Sequence, residues 1–297
     1  MHLVRYLTPN SGPQVGVRDG VSVSPVAIGS LGELFGLPLD DIRGLIARPG
    51  PAMATADVRL LPPVDGRMEV WAAGVTYERS RSARMEESAT ADVYSRVYDA
   101  TRPELFFKAA AWRVVTDGEP VSIRRDSPLN VPEPELAAVA NAFGEIVGWT
   151  VCDDVSSRSI EGDNPLYLPQ AKVYAGSCAL ATGVRPAWEV DITSLPIRMD
   201  VTRSGSVAWS GHIDTGSLHR QPDDLVGHLF AEEQFPDGVV LSTGTGIVPD
   251  MDFGLAAGDT VAITIDQVGT LTNPVVSGKD TFTWLADADA HHRPPPS

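Results

Sequence analysis

Two prolines one residue apart, Pro132 and Pro134, leave the segment Val131-Pro-Glu-Pro-Glu-Leu little choice of backbone. Each ring fixes φ and removes an N–H donor, so the segment is extended and supplies an incomplete hydrogen-bond ladder. On an extended chain, residues i and i+2 point to the same side. Glu133 and Glu135 therefore stand side by side as like charges, an arrangement that a cation between them relieves. Taken alone, the pair reads more simply as two solvated glutamates on an edge strand.

A third carboxylate shifts that balance. The run Ile146 to Cys152 reads as a strand leading directly into Asp153-Asp154-Val-Ser-Ser-Arg158, which places acid at a strand end. One of the two aspartates is expected to do no more than form a turn. Three carboxylates without a neighbouring histidine or thiolate suit a hard divalent cation rather than zinc: Mg2+ first, with Mn2+ or Ca2+ as substitutes. Further on, Ile160-Glu-Gly-Asp-Asn-Pro-Leu-Tyr-Leu-Pro-Gln-Ala-Lys172 reads as a loop whose lysine suits a carboxylate or oxyanion. Upstream, Arg102-Pro-Glu-Leu-Phe-Phe-Lys108 sets Glu104 and Lys108 on either side of a short apolar strand, where a salt bridge and a site are both open.

The acidic balance narrows the partners. With 23 basic and 39 acidic residues the formal charge is -16, which repels phosphate backbones and anionic lipid, so neither nucleic acid nor a membrane is an expected partner. The start, MHLVRYLTPNSG, carries no signal-peptide pattern, no run approaches the ~20 apolar residues of a membrane span, and the expected location is cytoplasmic. The two cysteines, Cys152 and Cys178, read as buried small hydrophobes.

Strand and turn signals give an α+β, β-rich fold in three parts. Residues 1–65 form a small N-terminal domain, with short strands at Leu3 to Leu7, Gln14 to Arg18 and Val21 to Val26 and helical stretches near Leu31 to Phe35 and Asp41 to Ala47. Residues 66–285 form a β-rich domain, a mixed roll or folded sandwich, with strands including Glu69 to Ala73, Val121 to Ile123, Glu135 to Val139, Ile197 to Thr202, Val239 to Thr243, Thr260 to Ile265 and Gly269 to Leu271. Helices are expected from Tyr77 to about Ala100 and from Asp223 to Glu233. Residues 286–297 read as a disordered tail whose His291 and His292 are solvated.

In this order the motifs resemble the fumarylacetoacetate hydrolase superfamily over nearly the whole length after residue 65. The matching features are Gly74-Val-Thr-Tyr77, Leu-Phe-Phe-Lys108, Pro-Glu-Pro-Glu135, Gly148-Trp-Thr-Val, Asp154-Val-Ser-Ser-Arg158, Gln-Ala-Lys172, and Leu241-Ser-Thr-Gly-Thr-Gly246 ahead of Gly258-Asp259. The resemblance implies a catalytic β-roll, a homodimer or homotetramer, and Mg2+ held by Glu133, Glu135 and Asp154. Asp154 is chosen over Asp153 because the family's ligand directly precedes the hydrophobic residue of its Asp-hydrophobic-Ser/Thr-x-Arg motif.

Hydrolases of the superfamily commonly carry Asn-Tyr-x-x-His in the loop after Gly74, whereas this chain reads Thr76-Tyr-Glu-Arg-Ser80-Arg81. Serine does not replace imidazole as a base near neutral pH. The histidines, at positions 2, 212, 219, 228, 291 and 292, all lie outside this loop, and His212 could reach it only through folding. The spacings of Glu135, Asp154 and Lys172 are instead similar to the 2-keto-3-deoxy-D-arabinonate dehydratase-like branch, with Asp163 where that branch tends to have glutamate. Ser159 replaces an aspartate common in the wider superfamily. That branch implies a metal-dependent hydro-lyase acting on a small anionic 2-keto-3-deoxy sugar acid, with 2,5-dioxopentanoate the product from a pentonate. Glu104 and Lys172 are the candidate catalytic pair, their roles open to exchange; Arg79, Arg81, Lys108, Arg158 and Thr245 are candidates to contact substrate, Arg158 also to steady the metal site. Acylpyruvate or fumarylpyruvate hydrolysis and oxaloacetate decarboxylation stand as the rival chemistries, and a metal-stabilised binding protein as the non-enzymatic alternative.

Overall fold

A computed structural model describes residues 1–87 and 96–286. The expected tail beyond Ala286 and the stretch 88–95 of the expected 77–100 helix lie outside the described residues. The strands of the first segment are β1 (His2–Leu7), β2 (Gln14–Asp19), β3 (Ser22–Pro25), β4 (Met53–Ala54) and β5 (Arg59–Leu61), with helices α1 (Leu31–Phe35) and α2 (Leu39–Ile46) between β3 and β4. There follow β6 (Glu69–Gly74), α3 (Glu78–Glu87), β7 (Glu104–Ala110), β8 (Val121–Ile123), β9 (Asn130–Val131), β10 (Pro134–Ala140) and β11 (Ile146–Asp154). After β12 (Ser156–Ser157) come two short helices, α4 (Arg158–Asp163) and α5 (Leu168–Lys172), then β13 (Cys178–Leu180), β14 (Gly183–Pro186), β15 (Pro196–Arg203) and β16 (Ser206–Asp214). The chain closes with α6 (Pro222–Leu229), β17 (Val239–Ser242), β18 (Thr260–Ile265), β19 (Gly269–Ser277) and α7 (Thr283–Ala286).

A 12-stranded mixed sheet runs β4-β3-β2-β1-β14-β11-β10-β17-β6-β7, with β13 and β5 as side pairings, and a second sheet of five strands runs β16-β15-β18-β19-β8. Two strand pairs, β17 with β6 and β19 with β8, are parallel. The strand that Pro134 opens is therefore central, not an edge, and Pro132 lies just before it. The strand tolerates Pro134 because it is the first residue and the pairing with β17 begins only at Ala137. Both faces of β10 are covered: Leu136 and Ala138 pack towards Ile197, Met199 and Ile263 of the second sheet, while Ala137 and Val139 pack with Leu34, Phe35 and Ile42 of the N-terminal helices. A strand buried on both faces reads as an unbroken apolar run, which is what Leu-Ala-Ala-Val-Ala is.

The N-terminal segment is joined to the rest by β1 pairing with β14 and by the shared core under α1 and α2. Asp65, at the expected boundary, is a tether. Its two carboxylate oxygens accept the Leu31 and Gly32 amides at the start of α1, both at 2.9 Å, and pair with buried Arg5 at 3.4 Å. Burial lowers the Arg5 pKa and the Asp65 charge opposes that shift. Both cysteines are buried and free.

Three expectations differ in detail. The run 160–172 is not a loop but α4, a 3-10 turn at Pro165–Tyr167, and α5; Pro165 and Pro169 sit at helix starts, where a missing N–H costs nothing. The expected helix to Glu233 stops at Leu229, where Phe230 turns to meet Phe235 edge to face at 5.1 Å. The last strand continues past Leu271 to Ser277 because Pro274 ends the β18 ladder just where the β8 ladder begins at Val275. Among the described residues no helix is long and apolar enough to cross a membrane.

Asp65→Ala removes the acceptor of two first-turn amides of α1 and the counter-charge of buried Arg5 together, so a loss of about 2–4 kcal/mol is expected in denaturant unfolding. A change below about 0.5 kcal/mol would contradict the tethering role.

Candidate active site

Antiparallel register brings the acids together. Glu135 faces Cys152 and Pro134 faces Asp153 across the β10–β11 pair, so strand alternation puts Asp154 on the face of Glu133 and Glu135 and turns Asp153 to the other. The Asp153 carboxylate accepts the Glu133 amide at 3.0 Å, while the Asp154 amide donates to the Glu133 carbonyl at 3.0 Å, which locks the junction. Glu133, Glu135 and Asp154 each offer an oxygen within 4.8 Å of the others, and all three residues are buried.

Two lysines reach the same cluster. Lys172, at the end of α5, donates to Glu133 Oε2 at 2.5 Å, to Asp154 Oδ2 at 3.2 Å and to Ser156 Oγ at 2.6 Å. Lys108, from β7, ion-pairs with Asp154 Oδ1 and donates to the carbonyls of Lys172 (2.6 Å) and Val155 (3.2 Å). Glu135 is instead held by neutral donors, Ser242 Oγ at 2.5 Å and the Gly244 amide at 2.8 Å. A buried set of three carboxylates, each offering an oxygen to one point, fits a hard divalent cation.

The triad floors a cavity whose walls include Gly74, Ser80, Glu104, Phe106, Lys172 and Thr245. Glu104 enters from the start of β7 and lies so close to Gly74 that a Cβ there would sit 2.0 Å from its Oε2. Gly244 admits Thr76 in the same way: its φ is +92°, and a Cβ would meet Thr76 Oγ1 at 2.0 Å. Thr76 Oγ1 donates to the Thr243 carbonyl at 2.7 Å. Between these contacts Val75 is held at φ +53°, strained for a β-branched residue, on the cavity wall.

The other expected site residues fall into two groups. Thr245 lines the cavity, its hydroxyl bonded to Ile247. Arg158 is buried and donates to the Pro249 carbonyl at 3.0 Å, and Lys108 lies behind Asp154. Arg79 pairs with Asp250 at 3.0 Å and Arg81 with Glu78 at 3.6 Å, both at the surface of α3. Ser80 is buried on the wall, and its hydroxyl donates to the Tyr77 carbonyl at 2.8 Å. None of the described histidines lines the cavity; His212 is exposed on β16. Sequence reasoning passed over Glu161, which is buried and lines the cavity. Its signal was position, one helical turn beyond Arg158 in a segment read as loop.

Residues 69–276 match the family described as fumarylacetoacetate (FAA) hydrolase C-terminal, and the chain belongs to this family. It is 43% identical over 224 residues to 2-dehydro-3-deoxy-D-arabinonate dehydratase of Saccharolobus solfataricus, covering 74% of this chain and 75% of that one. It is 47% identical over 225 residues to the probable 2-keto-3-deoxyxylonate dehydratase of Haloferax volcanii, covering 75% and 77%. A solved structure of 2-keto-3-deoxy-D-arabinonate dehydratase complexed with magnesium and 2,5-dioxopentanoate superposes with a TM-score of 0.82 at 33% identity, covering 94% of this chain and all of that one.

Burial, reinforced by the charges of Asp154 and Glu133, pushes Glu135 up to about 8, and burial raises Asp153 to about 7. Both folded values exceed the ordinary carboxylate range, so without a cation the fold favours the protonated groups. Their contribution to stability is then present at low pH and lost as pH rises from about 4.5 to about 8 for Glu135 and from about 3.8 to about 7 for Asp153. A divalent cation in the triad stabilises the ionised form. Added Mg2+ or Mn2+ is therefore expected to raise Tm more at pH 8.0 than at pH 5.5, and Glu135→Gln to abolish that difference. Equal metal-induced shifts at the two pH values would show that no carboxyl proton is displaced.

Proposed function

We propose that this protein is a Mg2+-dependent dehydratase of 2-keto-3-deoxy sugar acids, converting a 3-deoxypentonate such as 2-keto-3-deoxy-arabinonate to 2,5-dioxopentanoate. The observation that carries the reading is one cavity presenting Glu104 and Lys172 above an all-carboxylate triad, with Ser80 where the hydrolases of the family commonly have histidine. The dehydratase relatives in two organisms and the magnesium- and product-bound structure support the substrate class and the metal. Glu133, Glu135 and Asp154 would hold Mg2+, which supplies Lewis acidity toward the oxygens of a 2-keto acid and so makes C3 acidic.

The chain's own residues then divide the work. Glu104 is the base that takes a proton from C3: it is half-buried, on the cavity wall, and fixed in place against the Gly74 backbone. Lys172, an ammonium among two carboxylates and a serine, is a donor and delivers the proton to the C4 hydroxyl as it leaves. Loss of the C3 hydrogen and C4 hydroxyl gives an enone that tautomerises to the 5-aldehyde. Phe106, whose ring lies 5.6 Å from Lys172 Nζ, supplies an apolar wall that keeps water from the departing group. Lys108 holds Asp154 and the Lys172 carbonyl from behind, and therefore positions these groups without touching substrate. Ser80, its hydroxyl committed to a backbone carbonyl, supplies no base for hydrolysis.

Purified protein with Mg2+ is expected to release a semialdehyde from 2-keto-3-deoxypentonates and to lose that activity in EDTA. Rapid cleavage of acylpyruvates with no dehydration would overturn the reading. Glu104→Gln is expected to keep metal affinity within about twofold while kcat falls by roughly 10²–10⁴; wild-type turnover in this variant would remove Glu104 from the mechanism.

A further inference from the structure

A second and larger cavity, of about 830 Å3, is lined in part by Val173, Tyr174 and Ala175, the residues that follow Lys172. Its volume is in the range of small-molecule sites. Trp112, Tyr174 and Phe282 give it apolar walls, and Arg113, Arg124, Arg125 and Lys279 bring four cations to it. Two of these are balanced on the spot. Arg124 grips Asp126 through Nε at 2.8 Å and Nη2 at 2.5 Å, and Arg125 pairs with Asp280 at 2.6 Å. Arg113, its guanidinium 4.7 Å from the Trp112 ring centre, and exposed Lys279 have no ion pair among the described residues.

We propose that this cavity binds a small organic anion with an apolar or aromatic body, at a site separate from the carboxylate triad. Two cations without an ion pair beside one apolar hollow suit an anion with an apolar body. The two cavities have no lining residue in common, although walls of the second are hydrogen-bonded to backbone near the first. Tyr174 lines the second cavity, and its hydroxyl donates at 3.3 Å to the carbonyl of Val155, the residue after Asp154. Arg124 donates to the Gln170 carbonyl at 3.0 Å, two residues before Lys172.

The test uses 8-anilinonaphthalene-1-sulfonate, an apolar aromatic anion, titrated into the full chain with fluorescence readout. The expected result is saturable binding of one probe per chain, unchanged by Mg2+ with oxalate, a chelating dicarboxylate that occupies the metal site. The Arg113→Glu, Lys279→Glu double variant weakens binding by about tenfold, as loss of charge-assisted contacts predicts, with Tm unchanged. Lys279→Ala alone, a change at an exposed side chain, weakens it by about threefold. Binding indifferent to both variants, or probe displaced by Mg2+ with oxalate, overturns the proposal. So does a fall in sedimenting mass in the charge-reversed protein, which would make this face a contact between copies of the chain.

Discussion

Four carboxylates, of Glu133, Glu135, Asp153 and Asp154, are buried around the junction of β10 and β11. Burying an ion costs several kcal/mol even after relaxation, and like charges packed together add to that cost. Most of the polar architecture nearby answers this demand. Lys108 and Lys172 supply positive charge, Ser242 and the Gly244 amide supply donors to Glu135, and the Glu133 amide supplies one to Asp153. The three carboxylates that share one face, each offering an oxygen within 4.8 Å of the others, are what makes the cluster suited to a divalent cation.

The fold makes such a cluster tolerable by holding it rigidly. The acid-bearing strand is central in the larger sheet and covered on both sides, by the second sheet and by the helices of the N-terminal segment. Its own prolines fall where the ladder to β17 has not begun, so the extended backbone that aligns Glu133 with Glu135 removes no needed donor. The remaining site groups come from chain segments far apart in sequence: Glu104 from β7, Lys172 from α5, Thr245 from the turn after β17. Glycines at 74 and 244 are required at closest approach, because a methyl group at either would occupy space taken by Glu104 or Thr76.

Much of this was legible in the sequence where local chemistry decided the outcome. The Pro-Glu-Pro-Glu spacing, the acid at the end of β11 and the turn glycines each act through backbone rules, and they pointed to the triad and to a β-rich fold. What escaped depended on contacts that spacing does not encode. The two-sided burial of β10 could not be told from an exposed edge strand. Short helices α4 and α5 hid behind Asn164 and two prolines that read as breakers but begin helical turns, and Glu161 was passed over with them. Arg79 and Arg81 looked like anion contacts in sequence, whereas their partners, Asp250 and Glu78, are supplied by tertiary contact and helix spacing.

The central claim is that the buried triad is a divalent-cation site and that Lys172 neighbours the ion. Anomalous diffraction from crystals soaked in Mn2+ tests it directly. One strong peak is expected between the carboxylates of Glu133, Glu135 and Asp154, absent from Glu133→Ala crystals. A peak elsewhere, or none at the triad with Lys172 still bridging Glu133 and Asp154, would contradict it.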